Sequence, residues 1–156
     1  MTILVPFDGS ELSESALVRA TALGDVFGEQ VLALSVVPTG NATYARERDW
    51  LGPEEEYDDG RVVGQLHEQM TGVSPSADFR HEFVDRYAST GTIARRLREM
   101  AKEVGASLVV IGSDNAGSMV ASIRSVGSTV AAADAFDVLI VRQSATVEES
   151  RAKSGW

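Results

Sequence analysis

Apolar and polar positions fall into blocks along this chain, and their period switches repeatedly between that of a strand and that of a helix. Residues 2–7, Thr-Ile-Leu-Val-Pro-Phe, form a short apolar run closed by Asp8-Gly9-Ser10, the pattern of a buried strand meeting a turn. Ser10 can cap a helix, and Leu12, Ala16, Ala20, Leu23 and Phe27 then recur at three- and four-residue intervals up to Gly28. A second buried strand follows at Gln30 to Val37 and stops at Pro38-Thr39-Gly40. Strand, helix and strand joined by short links make a βαβ unit, which implies a parallel sheet.

The pattern weakens over 38–60, which is polar and charged, with Glu54-Glu55-Glu56 and Asp58-Asp59. Val62, Val63, Leu66 and Met70 predict a helix over 54–72, and Pro75 breaks it. Ala77 to Val84 alternates as a third strand, with Phe79, His81 and Phe83 on one face. Thr92 is the expected cap of the next helix, which carries Ile93, Leu97, Met100, Ala101 and Val104 and ends at Gly105. Ser107 to Ile111 is the clearest buried strand, followed by a glycine- and serine-rich stretch and a helix reaching about Ala135. Asp137 to Val141 is a fifth strand, and residues 143–156 form a polar C-terminal tail.

The predicted fold is therefore α/β: a single-domain, open, doubly wound, Rossmann-like five-stranded parallel sheet with helices on both faces. Ligands in such sheets bind at the carboxyl ends of the strands, where the strand order reverses. That nominates the loops after strand 1 (Pro6 to Ser10), strand 2 (Val36 to Thr39) and strand 4 (Gly112 to Ser128).

Composition narrows the chemistry. A chain of 156 residues suffices for one domain, and at this size folding buries roughly 68–70% of the unfolded surface, so no staple is needed. The absence of cysteine excludes disulfides, thiolate metal sites and a cysteine nucleophile. No apolar run is long enough for a membrane span and the opening segment is too short for a signal peptide, so a cytoplasmic location is expected. The net charge of −9 disfavours nucleic acid and anionic membranes as partners. Arg95, Arg96 and Arg98 are the nearest approach to a basic patch and are read as one exposed helix face. The acid-rich composition, with only two lysines among 14 basic residues, suggests a salt-adapted source.

Several readings of the first loop fail on their residues. A receiver domain needs an acidic cluster after strand 1 and a lysine after strand 5, where this chain has one aspartate and Arg142. Asp8-Gly9-Ser10 is a poor flavodoxin phosphate loop, and G-x-G-x-x-G is absent. The S-G-G-x-D-S loop of ATP pyrophosphatases and the G-x-S-x-G elbow of hydrolases are absent too. The acidic run at 54–56 reads as a solvated helix start, because consecutive acids do not converge on one ion. His67 and His81 lack metal-like spacing. Tyr44 and Trp50 could cover a ligand or latch onto the domain.

Four segments carry a family resemblance. Val5-Pro6-Phe7-Asp8-Gly9-Ser10-Glu11-Leu12-Ser13 resembles the V-P-x-D-G-S-x-x-S opening of universal stress proteins. Leu34-Ser35-Val36-Val37 resembles their L-H-V-x, and Gly105 to Ser113 their G-A-D-L-I-V-I-G-S. Gly127-Ser128 followed by Val138 to Val141 resembles their G-S-V and last strand. The resemblance spans residues 2–142 and implies a universal stress protein-like domain over 1–142, of the adenine-nucleotide α-hydrolase-like type.

It further implies a cytoplasmic stress-response regulator rather than a fast enzyme, with slow ATP hydrolysis at most. The implied ligand is ATP or another adenine nucleotide, with or without Mg2+. The implied binding residues are Pro6, Phe7, Asp8, Val36, Ile111, Gly112, Gly117, Gly127, Ser128 and Thr129; Asp8 and the backbone around Val36 would hold adenine in an apolar slot, and the glycines and Ser128 would face the phosphates. The nucleotide-binding members carry G-x2-G-x9-G-[ST]; here Gly117-x9-Gly127-Ser128 keeps the second spacing, but four residues separate Gly112 from Gly117. Asp114 in this longer loop would oppose a triphosphate unless a divalent ion bridged the two. The implied partners are a second copy, paired through Val138, Leu139, Ile140 and Val141 of strand 5, and unknown proteins. The alternative is a dimeric interaction module of the same fold that binds no nucleotide.

Overall fold

A computed structural model describes residues 1–40, 58–113 and 136–143. Five strands, β1 (Thr2–Pro6), β2 (Gln30–Pro38), β3 (Asp78–Val84), β4 (Ala106–Gly112) and β5 (Asp137–Val141), form one sheet of order β3-β2-β1-β4-β5. All pairings are parallel. Helices α1 (Glu11–Phe27), α2 (Asp59–Val73) and α3 (Thr90–Glu103) make the crossovers from β1 to β2, β2 to β3 and β3 to β4. The predicted helix before β5, the tail beyond residue 143, Tyr44, Trp50 and Glu54 to Glu56 lie outside the described residues.

The apolar periods sort the core into two layers. Ile3, Val5, Phe7, Val31, Ala33 and Val37 pack against Ala16, Leu17 and Ala20 of α1 and Val62, Leu66 and Met70 of α2. On the other face Leu4, Leu32, Leu34, Val109 and Ile111 pack against Leu97, Met100 and Ala101 of α3. β1 is covered on both faces, which explains its continuous apolar run. Because β2 and β3 lie to one side of β1 and β4 to the other, the strand order reverses between β1 and β4.

Local chemistry sets the helix ends, and two sequence expectations are corrected by it. Ser10 caps α1 as expected, its Oγ accepting the Ser13 N–H at 3.2 Å, and Gly28 closes the helix in the left-handed region. The second helix starts later than position 54: Asp58 is extended and accepts the Gly60 N–H, so helical backbone begins at Asp59. The cap of α3 is Ser89, not Thr92. Ser89 Oγ accepts the Thr92 N–H at 3.2 Å, which places Thr92 within the first turn, where its hydroxyl pairs with the Ser89 hydroxyl at 3.0 Å.

Gly112 serves packing. A Cβ placed there would lie 2.9 Å from Leu12 Cβ and 3.1 Å from the Leu12 carbonyl carbon, so the end of β4 and the first turn of α1 touch across the missing side chain. Since that backbone cannot yield cheaply, Gly112→Ala is expected to lower stability by about 1–3 kcal/mol. Urea unfolding checks this: the midpoint should fall while the slope stays unchanged.

Candidate functional site

The sheet alternation and one tight turn build the carboxyl edge between β1 and β4. β1 faces β2 up to Pro6, which lies opposite Leu34, and the Phe7 N–H bonds the Leu34 carbonyl at 2.9 Å. The chain then turns away. Asp8 Oδ1 accepts the Ser10 N–H at 2.9 Å, and Gly9 takes φ 79°, a conformation that suits a residue without Cβ. α1 starts at once.

β2 does not stop with β1. Leu34 turns its carbonyl toward β1, so two residues on, at Val36, backbone N–H and C=O again face the β1 side. There β1 has already ended, leaving a backbone donor and acceptor at the strand reversal beside the Asp8 turn. Val36 is half-buried on the α3 layer, the layer that also holds Ile111, which is buried. Pro6 is buried and Asp8 half-buried.

Phe7 is placed differently from these. Its side chain belongs to the α1/α2 layer, across the sheet from Val36 and Ile111, and its carbonyl accepts the buried Ser35 hydroxyl at 2.5 Å. Gly112 lies at this edge, with its bare Cα against Leu12. Gly117, Gly127, Ser128 and Thr129 lie outside the described residues, as does Asp114.

The amino end of α1 is already occupied by its own chain. Ser10 caps it, the Ser13 hydroxyl returns to the Ser10 carbonyl at 2.9 Å, and Glu11 and Glu14 occupy the first turn. Those acids complement the helix dipole internally and repel a second anion. Two supporting residues escape sequence reasoning. Gln69 of α2 donates to the Gly9 carbonyl at 2.9 Å and to the Glu14 carboxylate, clamping the turn from a neighbouring helix. Ser35 anchors the end of β1 from β2. Neither signals itself, because both contacts join distant segments.

The arginines of α3 do not form one exposed face. Arg96 and Arg98 are both half-buried, and only Arg95 is exposed. Arg96 makes a forked pair with Glu82 of β3, its second arm at 2.6 Å, and reaches Glu99 at 2.9 Å. Three residues apart are a helical near-full turn, whereas adjacent Arg95 and Arg96 point about 100° apart. Among the described residues no group of three or more metal-ligating side chains converges, and no helix is long and apolar enough to cross a membrane.

A parallel sheet whose order reverses between its first and fourth strands, with a turn at that point and β2 running on past the end of β1, defines a doubly wound α/β domain. The chain belongs to the universal stress protein family, whose sequence profile matches residues 1–142. Solved structures agree. A universal stress protein family member from Burkholderia pseudomallei is 22% identical, with 91% of this chain and 96% of that one covered and a TM-score of 0.53. A universal stress protein in complex with cAMP is 25% identical over the same shares, with a TM-score of 0.50. One from Archaeoglobus fulgidus in complex with dAMP is 14% identical, covering 90% and 95%, with a TM-score of 0.50. No curated protein sequence matches the chain.

The Arg96–Glu82 pair predicts an acid dependence. The hydrogen bond from Arg96 holds the Glu82 carboxyl below its ordinary value of 4.5; partial burial opposes this, and the charges of Arg96 and Arg80 add to it. A lowered folded-state value means stabilisation that is full above about pH 4.5 and lost as pH falls through the lowered value. Glu82→Gln should therefore lower the urea midpoint at neutral pH and flatten its decline with acid, so that the two proteins converge at the lowest pH.

Proposed function

We propose that this protein is a nucleotide-responsive stress regulator of the cytoplasm that binds an adenine nucleotide at the strand reversal. One observation carries the reading: the Val36 backbone presents a donor and an acceptor past the end of β1, beside half-buried Asp8 and above the apolar side chains of the α3 layer. A purine ring needs that combination, two hydrogen-bonding groups on one edge and an apolar face. The 25% identical relative in complex with cAMP supports the same ligand class.

In this reading the base lies against Pro6, Val36 and Ile111, with its edge on the Val36 backbone, and Asp8 accepts a hydrogen bond from the ligand. The backbone of Phe7 closes the slot. The phosphates fall to Gly112, Gly117, Gly127, Ser128 and Thr129, with Mg2+ compensating Asp114 if the ligand is a triphosphate. The protein supplies binding and orientation, and at most slow hydrolysis.

A second reading, an interaction module without nucleotide, is favoured by two details. The amino end of α1 is taken by its own acids, and the bareness of Gly112 is used by Leu12.

Denaturing the purified protein and passing the supernatant over an ion exchanger should release adenine nucleotide. Calorimetry with ATP, ADP and AMP, with magnesium, at low and near-molar salt, should show one site. Asp8→Asn keeps an acceptor for the Ser10 N–H but removes the charge, and should weaken binding about tenfold or more, the usual worth of a charged hydrogen bond. Absence of nucleotide and of binding heat at both salts would overturn this reading in favour of the interaction module.

We also propose a twofold contact through β5. Among the described residues it is an edge strand, carrying Val138-Leu139-Ile140-Val141 with Leu139 40% exposed, too apolar an edge to stand alone. Light scattering should give at least twice the 16.7 kDa chain mass, and Leu139→Asp should reduce it. A wild-type protein that stays at 16.7 kDa would refute the contact.

A further inference from the structure

The opposite edge of the sheet has a chemistry of its own. β3 is the outermost strand on its side among the described residues, and pairs regularly with β2 from Asp78 to Val84. Its two faces differ. Phe79, His81 and Phe83 form a ladder of rings on the α2 side, extended by His67 of α2, which stacks on Phe79 at 4.8 Å between centroids. Asp78, Arg80 and Glu82 line the α3 side, where Glu82 meets Arg96. Phe83 is 44% exposed and His81 is exposed as well.

The hydrogen-bond phase of this edge can be read directly. The Val84 carbonyl accepts the N–H of Thr39, the residue after β2, at 3.0 Å, so Val84, Glu82, Arg80 and Asp78 direct their backbone groups inward to β2. By alternation Phe79, His81 and Phe83 direct theirs outward. An antiparallel copy of the same strand can therefore bond only in registers where these three residues meet one another.

Three such registers overlap well, and charge separates them. Centring on Arg80 sets Arg80 against its own copy and Asp78 against Glu82; centring on Glu82 sets Glu82 against its own copy. Both place like charges directly opposite, which is destabilising. Centring on His81 sets Arg80 opposite Glu82 on both sides of the axis and Phe79 opposite Phe83, and overlaps all of 78–84. Backbone phase, charge and apolar contact then agree.

We propose that β3 is a self-complementary edge at which a second copy of this chain adds antiparallel about a twofold axis at His81. The rings of Phe79, His81 and Phe83 from both copies form one continuous stripe on the α2 side. On the other side Glu82 is held between Arg96 of its own chain and Arg80 of the partner subunit. This contact is independent of nucleotide binding and of β5, and with β5 it builds assemblies larger than a dimer.

Because the chain contains no cysteine, a single introduced thiol reports the contact cleanly. In this register the two His81 Cα atoms lie about 5.5 Å apart, inside the span a disulfide bridges. His81→Cys should cross-link into a dimer under mild oxidation at micromolar protein. Asp78→Cys, whose copies stand roughly 20 Å apart along the paired strands, should not. In the His81→Cys background, Arg80→Glu and Glu82→Arg each place two like-charged pairs across the axis and should slow cross-linking roughly fivefold or more. Mixing the two, distinguished by tags, makes both cross-axis pairs opposite in charge and should restore a mixed dimer. Equal cross-linking at 78 and 81, no cross-link at 81, or charge variants that neither slow nor rescue the reaction would each overturn the proposal.

Discussion

β1 ends at Pro6, opposite Leu34, while β2 runs on to Pro38, and the carboxyl edge takes its shape from that difference. Pro6 has no N–H to give and Phe7 makes the last bond to β2. The Asp8 carboxylate then captures the Ser10 amide and sends the chain into α1. Were β1 two residues longer, the Val36 backbone would be spent within the sheet. Ser35 and Gln69 hold the break in place, one from β2 and one from α2. The notch is thus braced by three elements, although only one of them forms its turn.

Most of the architecture was legible from the chain because its signals are local. Ser10, Gly28 and the helical period of α1 act within a few residues of one another, and the apolar runs of β1, β2 and β4 state their own burial. The errors arose where a residue's role depends on a distant partner or on a competitor nearby. Thr92 resembles a cap, but Ser89 stands three residues earlier and caps the Thr92 amide itself, which makes Thr92 part of the first turn. Arg96 resembles a solvated charge until β3 brings Glu82 to it across the fold. Gly112 resembles a turn or phosphate glycine, and only the packing of α1 reveals what its bare Cα accommodates. At the site, Asp8 and Val36 could be nominated from the loop positions, whereas Ser35 and Gln69 could not.

The two edges of the sheet handle the same hazard with opposite means. β5 is short and apolar, with Val138, Leu139 and Ile140 in succession. β3 alternates rings with charges, so that a mismatched neighbour meets repulsion at Arg80 or Glu82. In the two contacts proposed above, the first edge is selective through burial and the second through register. An overall negative chain can tolerate both, since its excess charge keeps less specific encounters apart.

The position of β1 also orders events during synthesis. Of the five strands of this sheet it is made first and is the most central, yet its second neighbour pairs Ala106 with Thr2, 106 − 2 = 104 residues later. At translation rates of about 5–20 residues per second, that neighbour follows after roughly 5–20 s. For that interval the strand destined for the middle of the sheet is an edge, covered by α1 on one face and waiting on the other. One side of a strand with four buried residues thus has no pairing partner until β4 is made, and the acidic segment around Glu54 to Asp59 is synthesised within that interval.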